Sequence, residues 1–299
     1  MHPLVRALLS GWEWRPEILA VLVPLAMMYV LGWRRLRRRS IHGRLATWPK
    51  LAAYLGGMVI LAASLMSPID RLGSQLFFMH MVQHMLAIMW AAPLLLLAGP
   101  FPFILWSLPE TLRVSVGSLF AHDTPVRRLW ATVTRPGVTW LVFITVYLGW
   151  HDSNAYNAAL YHDWVHDIEH ITFFGAALLY WWPVVGPAPL VGSRLPAWGK
   201  LAYLIGTIPP NMFISVSIAF AGDVLYSYYL SAPRVWGFSV MQDQQLAGAI
   251  MWIPGSMMFI IAALIVLAGL FRKHETPHSA PPRPRTGPRL VGPGASLLT

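Results

Sequence analysis

Two histidines stand four residues apart in the apolar stretch FFMHMVQHMLAIMW, at positions 80 and 84. Side chains at positions i and i+4 of a helix lie on one face about one turn apart, so His80 and His84 can reach one metal ion. The stretch is apolar enough to lie in a membrane, where ionisable groups are costly and usually functional. The pair therefore predicts a metal site, and an interhelical hydrogen bond is the alternative interpretation.

A second group of histidines occupies the segment YHDWVHDIEH, which places His162, His166 and His170 at successive four-residue steps. His151 precedes them in GWHDSNAYNAAL, and acidic side chains accompany the group at Asp152, Asp163, Asp167 and Glu169. A carboxylate next to a ligand histidine can orient the imidazole ring. We expect metal ligands at His80, His84, His166 and His170, with access or supporting roles for His151, His162 and Asp243.

The identity of the metal follows from the side chains that the chain contains and lacks. Cysteine is absent and there are 14 methionines, so thiolate sites and disulfides are excluded. Met79, Met81 and Met85 flank the first histidine pair and offer thioether sulfurs, although packing in an apolar helix is the other interpretation of these side chains. Histidine and methionine without cysteine favour a copper ion, while zinc also fits histidine.

The elements that must position these residues are membrane helices. Hydrophobic residues make up 56% of the chain and charged residues 11%, with a mean hydropathy of +0.54, whereas a soluble domain is about 25% charged. We predict an all-α polytopic bundle whose seven spans cover 16–33, 50–66, 74–98, 136–151, 164–185, 200–221 and 246–271. Prolines 102 and 109 interrupt the apolar stretch that follows the third span, which favours an interfacial segment over an eighth span.

The basic residues predict the orientation of this bundle. With the loop at 33–50 in the cytoplasm, eighteen Lys and Arg residues fall on the inner side and four on the outer side, as positive-inside topology requires. The N-terminus is then outside, the C-terminus is cytoplasmic, and both histidine groups lie near the outer surface. The net charge of +10 follows from this topology and does not call for a nucleic-acid partner. We expect a transmembrane domain over 1–273 and a disordered, basic, Pro/Gly-rich tail over 274–299.

Several motifs in the chain resemble the CtaG family of seven-helix cytochrome c oxidase assembly factors. They are HMVQHMLAIMWAAPLLLLAGP, the WH and YNAAL elements of 150–160, HDWVHDIEH and DQQLAGAIMW, and the similarity extends from about residue 15 to 271. The resemblance implies a role in forming active haem–copper oxidase in the bacterial inner membrane, with oxidase subunits or a periplasmic copper chaperone as partners. The family's histidine motifs match His80, His84, His162, His166 and His170, and its acidic motif on the last span matches Asp243.

Four classes of function are open at this point. The leading hypothesis is a non-enzymatic assembly factor that binds copper and delivers it to an oxidase subunit. An intramembrane zinc-dependent hydrolase would use the same histidines, with Glu169 or Asp243 as the general base. A b-haem electron carrier would use axial histidines from two spans, and a purely structural scaffold would use none of them.

Overall fold

The structure is a computed structural model that describes residues 11–39, 45–121, 123–189, 191 and 194–275, and the secondary structure of these residues is entirely helical. The helices are α1 (Pro16–Arg39), α2 (Trp48–Met66), α3 (Pro68–Gly73), α4 (Phe77–Leu97), α5 (Pro100–Ser107), α6 (Glu110–Leu119), α7 (Pro125–Val133), α8 (Pro136–Trp150), α9 (Ser153–Tyr161), α10 (Asp163–Val185), α11 (Ala197–Ile205), α12 (Ile208–Ala219), α13 (Tyr228–Ser231) and α14 (Val240–Glu275). The tail predicted to be disordered lies outside the described residues from position 276 onward.

The number of membrane crossings agrees with the prediction from sequence. Six helical stretches are long and apolar enough to cross a membrane, namely α1, α2, α4, α10, α11 with α12, and α14. The fourth predicted span corresponds to α8, which has 15 residues and passes the test only together with α7, to which it is bent by 61°. The all-α, multi-pass membrane bundle is confirmed. Helices α5 and α6, with 8 and 10 residues, are too short to cross on their own, since a crossing needs about 20 residues.

Contacts between helix ends show which ends lie together. The backbone N–H of Glu13, just before α1, donates to the carbonyl of Met66 at the end of α2 (3.1 Å). The start of α14 contacts the start of α4 through Asp243 and Phe77 (3.0 Å). Both histidine-bearing segments begin or end on this side of the bundle, which we call the histidine end. The basic residues near the end of α1 lie at the opposite end of the bundle, where Arg35 donates to the carbonyl of Ser107 (2.7 Å).

Two helix pairs approach so closely that only glycine fits at the contact. A Cβ added at Gly32 would lie 1.6 Å from the carbonyl oxygen of Phe103, where α1 crosses α5. A Cβ added at Gly248 would lie 2.5 Å from the backbone nitrogen of Ala219, where α14 crosses α12. Small residues allow such approach of helix backbones in membranes, where dispersion contacts drive helix association. These glycines therefore set the distances between α1 and α5 and between α12 and α14.

We expect Gly248→Ala to destabilise the protein by about 1–3 kcal/mol, because the new methyl group meets backbone atoms that cannot rotate away. The measurement is the melting temperature of the purified protein in detergent. Gly269→Ala is the matched control on the same helix, because a Cβ there has nothing within 4 Å. Equal melting temperatures of the two variants would contradict the close contact between α12 and α14.

Helix α4 contains one wider turn directly after the histidine pair. The stretch Leu86–Ala91 is a π-helix, in which the N–H of Ala92 bonds to the carbonyl of Ala87, five residues back. In this register residue 93 would donate to the carbonyl of Ile88, but Pro93 has no N–H. The indole Nε1 of Trp181 on α10 donates to that carbonyl instead (3.0 Å). Interruptions of this kind are frequent at functional sites, and this one ties α4 to α10 next to the histidines.

Candidate metal centre

A buried group of three ligand-capable side chains joins α4 to α10. His80 and His84 are 1% and 6% exposed and Glu169 is 1% exposed. The two imidazole Nε2 atoms lie 2.5 Å apart, and Glu169 Oε1 lies 3.7 Å from Nε2 of His80 and 3.3 Å from Nε2 of His84. The i, i+4 spacing places both rings on the face of α4 that meets α10. We call His80, His84 and Glu169 the inner triad.

A second group of three lies beside the inner triad and is less buried. His166 and His170 on α10 have their Nε2 atoms 3.1 Å apart, and Asp70 on α3 completes a set whose ligand atoms all lie within 4.8 Å of one another. We call these residues the outer triad. Burial raises the pKa of Asp70 to about 6, since a buried carboxylate loses hydration. Asp70 Oδ1 also accepts a hydrogen bond from Gln83 Nε2 (2.6 Å).

The two triads are in contact. The ring centroids of His84 and His170 are 5.1 Å apart, and those of His80 and His166 are 5.4 Å apart. Gln83 Nε2 lies 3.3 Å from His170 Nε2 and therefore links α4 to the outer triad. The structure thus brings together the four histidines that the sequence nominates as ligands. The pair on α4 and the pair on α10 are more than eighty residues apart in the chain.

The three remaining candidates lie elsewhere, because neither triad among the described residues includes His151, His162 or Asp243. His162 is exposed and directly precedes α10. His151 follows α8, and its Nδ1 contacts the carbonyl oxygen of Tyr147 (2.7 Å). An access role for His151 and His162 therefore stays a prediction.

Asp243 contacts the start of α4 and belongs to neither triad. Its carboxylate is fully buried and accepts hydrogen bonds from the backbone N–H groups of Phe77 (3.0 Å) and Phe78 (2.9 Å). Arg234 also donates to it (3.2 Å). The residue before α4 is Leu76, which has no side-chain cap to offer. Asp243 therefore caps α4 from another helix, and its carboxylate oxygens are engaged away from the histidines.

Sequence reasoning missed three parts of the site, namely Asp70, Gln83 and the position of Glu169 as a possible ligand. Gln83 stood as a polar residue inside an apolar span, which is a usable signal. Asp70 lies in a short helix outside the spans, and nothing in its local pattern connects it to α10. The sequence presented Glu169 as one of several acids near the histidines and as a candidate general base, but not as a metal ligand.

The side chains of the inner triad fit a bound cation. The Nε2 atoms of His80 and His84 face Glu169 Oε1, and Glu169 Oε2 is buried without a hydrogen-bond partner, which is costly for a polar atom. Imidazole nitrogens with a carboxylate oxygen are a donor set that suits copper or zinc. An ion held by this set would offset the cost of burying these polar groups together.

A polar cavity of about 400 Å3 opens beside the outer triad. Asp70 and His166 line it together with the acidic side chains of Glu13, Asp163 and Asp167. Arg15 is held against Asp167 by an ion pair of 2.7 Å. The cavity lining carries four carboxylates and two arginines, Arg15 and Arg71, and it reaches the outer triad through Asp70 and His166.

The fold and the site define a class of protein: a multi-pass helical membrane protein with a histidine–carboxylate cluster at one end of its bundle. Within that class, the chain belongs to the family described as cytochrome c oxidase caa3 assembly factor (Caa3_CtaG), whose sequence model matches residues 27–273. This confirms the resemblance seen in the histidine motifs.

Curated relatives are uncharacterized mycobacterial proteins. The chain is 28% identical over 265 residues to proteins of Mycobacterium bovis and Mycobacterium tuberculosis, covering 84% of this chain and 38% of each relative. It is 25% identical over 281 residues to a protein of Mycobacterium leprae, covering 89% of this chain and 40% of the relative. The chain thus spans about two fifths of the length of the curated relatives it matches. No solved structure matches it significantly.

Proposed function

We propose that this protein is a non-enzymatic assembly factor that binds copper in the two triads and passes it to a subunit of a haem–copper cytochrome c oxidase. The observation that carries the proposal is that α4 and α10 bring four histidines and Glu169 into two adjoining clusters, of which the inner one is buried. Membership of the oxidase assembly family supports the pathway. Copper is the cargo of this process, received from a periplasmic copper chaperone or from solution.

The graded burial of the two triads suits reception and release of a metal ion. The outer triad borders the polar cavity, where an incoming ion can exchange water for Asp70, His166 and His170. The inner triad is almost fully buried, so an ion held there is shielded from competing ligands in solution. Neighbouring ligand sets only a few ångströms apart allow the ion to move by exchanging one ligand at a time.

The proposed location is the outer face of the bacterial inner membrane. The basic residues predict this orientation, because the last turn of α1 and the short helices α6 and α7 hold arginines at the end of the bundle opposite the histidines. Acidic side chains around the polar cavity would attract cations from the periplasm.

The test is the metal content of the protein purified from copper-replete cells, together with oxidase activity in cells that lack it. We expect bound copper in the purified protein, and we expect cells without the protein to have less active oxidase, with a deficit that is largest when copper is scarce. Re-expression of the chain should restore the oxidase. Normal oxidase activity without the protein at limiting copper would contradict the proposal.

The same preparation separates the alternatives. Stoichiometric zinc with hydrolysis of a lipid or peptide would support a metallohydrolase, in which Glu169 beside His84 (3.3 Å) would act as the base. A Soret band would indicate haem bound by the histidines. Either result, combined with normal oxidase assembly in the deletion strain, would replace the copper-delivery function.

A further inference from the structure

We propose that a second, softer binding position for copper lies in a methionine-lined cavity next to the inner triad, so that the protein holds its cargo at two chemically different stations. This inference rests on the proposed function, since it concerns the path of the same ion. The cavity measures about 30 Å3 and lies between α4, α8, α10 and α14. Its volume is enough for one water molecule or one ion.

Four methionines from two helices line this cavity, together with His84 and His151. Met81, Met85 and Met89 follow one another at four-residue steps along α4, and Met251 faces them from α14. Met85 Sδ lies 3.7 Å from the position that a Cβ on Gly255 would take, which places the sulfur at the contact between α4 and α14. Most of the other side chains around the cavity are apolar. The polar groups of Tyr147, Thr207 and Asn211, which also line it, are engaged in hydrogen bonds, so sulfur and imidazole nitrogen are the donors left for an ion inside it.

A second observation points to a ligand in the same place. His84 Nδ1 and His151 Nε2 are both buried without a hydrogen-bond partner, and both histidines line the cavity. His84 also belongs to the inner triad through its Nε2 (2.5 Å from His80 Nε2). One imidazole therefore borders both stations, with a different ring nitrogen available to each.

The two stations differ in the metals that they favour. Imidazole with carboxylate accepts copper and zinc alike, whereas thioether sulfur is a soft ligand that selects Cu(I). Cu(I) can bind both imidazole and thioether, so movement between the stations exchanges ligands and needs no electron transfer. Passage through the methionine cavity would thus exclude zinc that had entered the histidine cluster.

The wider turn of α4 shapes this cavity. Met85 ends the regular part of the helix, and Met89 lies within the π-helix. In a regular α-helix the side chains of Met85 and Met89 would lie one turn apart on one face. The π-helical turn, which begins directly after Met85, changes this spacing. Pro93 and the hydrogen bond from Trp181 to Ile88 (3.0 Å) hold the turn in place.

The experiment measures Cu(I) and Zn2+ binding to the full chain in detergent by competition with a chelator, with copper X-ray absorption to detect Cu–S scattering. The cavity variant is Met81→Leu/Met85→Leu/Met251→Leu, in which leucine preserves volume and apolarity. Met58→Leu is the matched control, because Met58 is a buried methionine on α2 that does not line the cavity. His166→Ala/His170→Ala tests the histidine cluster without altering a cavity residue.

We expect the wild type and Met58→Leu to bind two equivalents of Cu(I), with Cu–S scattering. The cavity variant should lose one Cu(I) equivalent and the Cu–S signal while its Zn2+ binding stays unchanged. Unchanged Cu(I) binding by the cavity variant, or wild-type copper without sulfur neighbours, would overturn this inference. The melting temperature of each variant shows whether it is folded.

The two proposals fail in distinguishable ways. If the His166/His170 variant loses copper and the cavity variant does not, the methionines are packing residues and the histidine cluster stands. If the cavity variant loses its Cu(I) while the His166/His170 variant keeps wild-type Cu(I) and Zn2+ binding, the methionine station stands and the proposed binding of copper in both triads fails.

Discussion

Replacing both His80 and His84 by alanine is expected to lower the metal affinity of the protein more than about 100-fold, because loss of a single outer-shell partner already costs 10–100-fold. The two imidazoles are two of the three donors of the inner triad, and His84 also contacts His170 in the outer triad. Without them Glu169 is a buried carboxylate that has lost both of its histidine neighbours. A single carboxylate cannot compete with water for the ion.

The consequence in cells is loss of the oxidase activity that depends on this protein, most clearly when copper is scarce. The measurements are copper per purified protein and oxidase activity in a deletion strain carrying the variant. Val82→Ala is the control, because Val82 lies between the two histidines on α4 and belongs to neither triad. Wild-type copper content and full oxidase activity in the double variant would end the proposal that this cluster handles copper.

Loss of activity has to be separated from loss of folding in this variant. His80→Gln/His84→Gln keeps polar side chains of similar length at both positions and leaves smaller voids than alanine. We expect this variant to melt closer to the wild type than the alanine variant and to bind equally little metal. A glutamine variant that binds metal like the wild type would show that the imidazoles are not the donors.

Asp243→Ala is expected to destabilise the protein by about 2–5 kcal/mol, since it removes a fully buried carboxylate and each buried donor left unsatisfied costs about 1–3 kcal/mol. The change also leaves the N–H groups of Phe77 and Phe78 without their acceptors at the start of α4. Arg234 loses its carboxylate partner at the same time. We expect a large fall in melting temperature in detergent, with weaker metal binding as a secondary effect, because α4 carries His80 and His84.

Asp223→Ala is the control for this variant, because Asp223 is an exposed acid near the same end of α14. Asp243→Asn should fall between Ala and the wild type in stability, because one amide oxygen replaces two carboxylate oxygens as acceptor. A ligand role for Asp243 would give the opposite pattern. In that case Asp243→Asn would melt like the wild type and lose its metal.

The membrane spans could be predicted from local sequence, because each apolar segment contains the composition and length that a membrane helix needs. The third span, predicted over 74–98, appears as Phe77–Leu97, and the fifth, predicted over 164–185, appears as Asp163–Val185. The bend between α7 and α8 was not predicted from the sequence. It arises at the tertiary level, where a 15-residue helix is continued by a second helix at 61°.

The partners of the histidines required the fold. Asp70 reaches His166 and His170 only because α3 packs on α4, and Asp243 reaches Phe77 only because α14 lies beside α4. The sequence nominated Asp243 through its motif and gave no signal for Asp70. Their different roles depend on which nitrogen atoms the packing of other helices places within hydrogen-bond distance.

The sequence by itself determined the class of protein, the number of apolar spans and the four histidines that could share a metal, because hydrophobicity and i, i+4 spacing are properties of single helices. Tertiary packing alone places the histidines of α4 against those of α10, brings Glu169 beside both His80 and His84, and lets methionines of α4 and α14 line a cavity next to them. These facts depend on distances between segments remote in the chain, which helix packing sets and local composition does not encode.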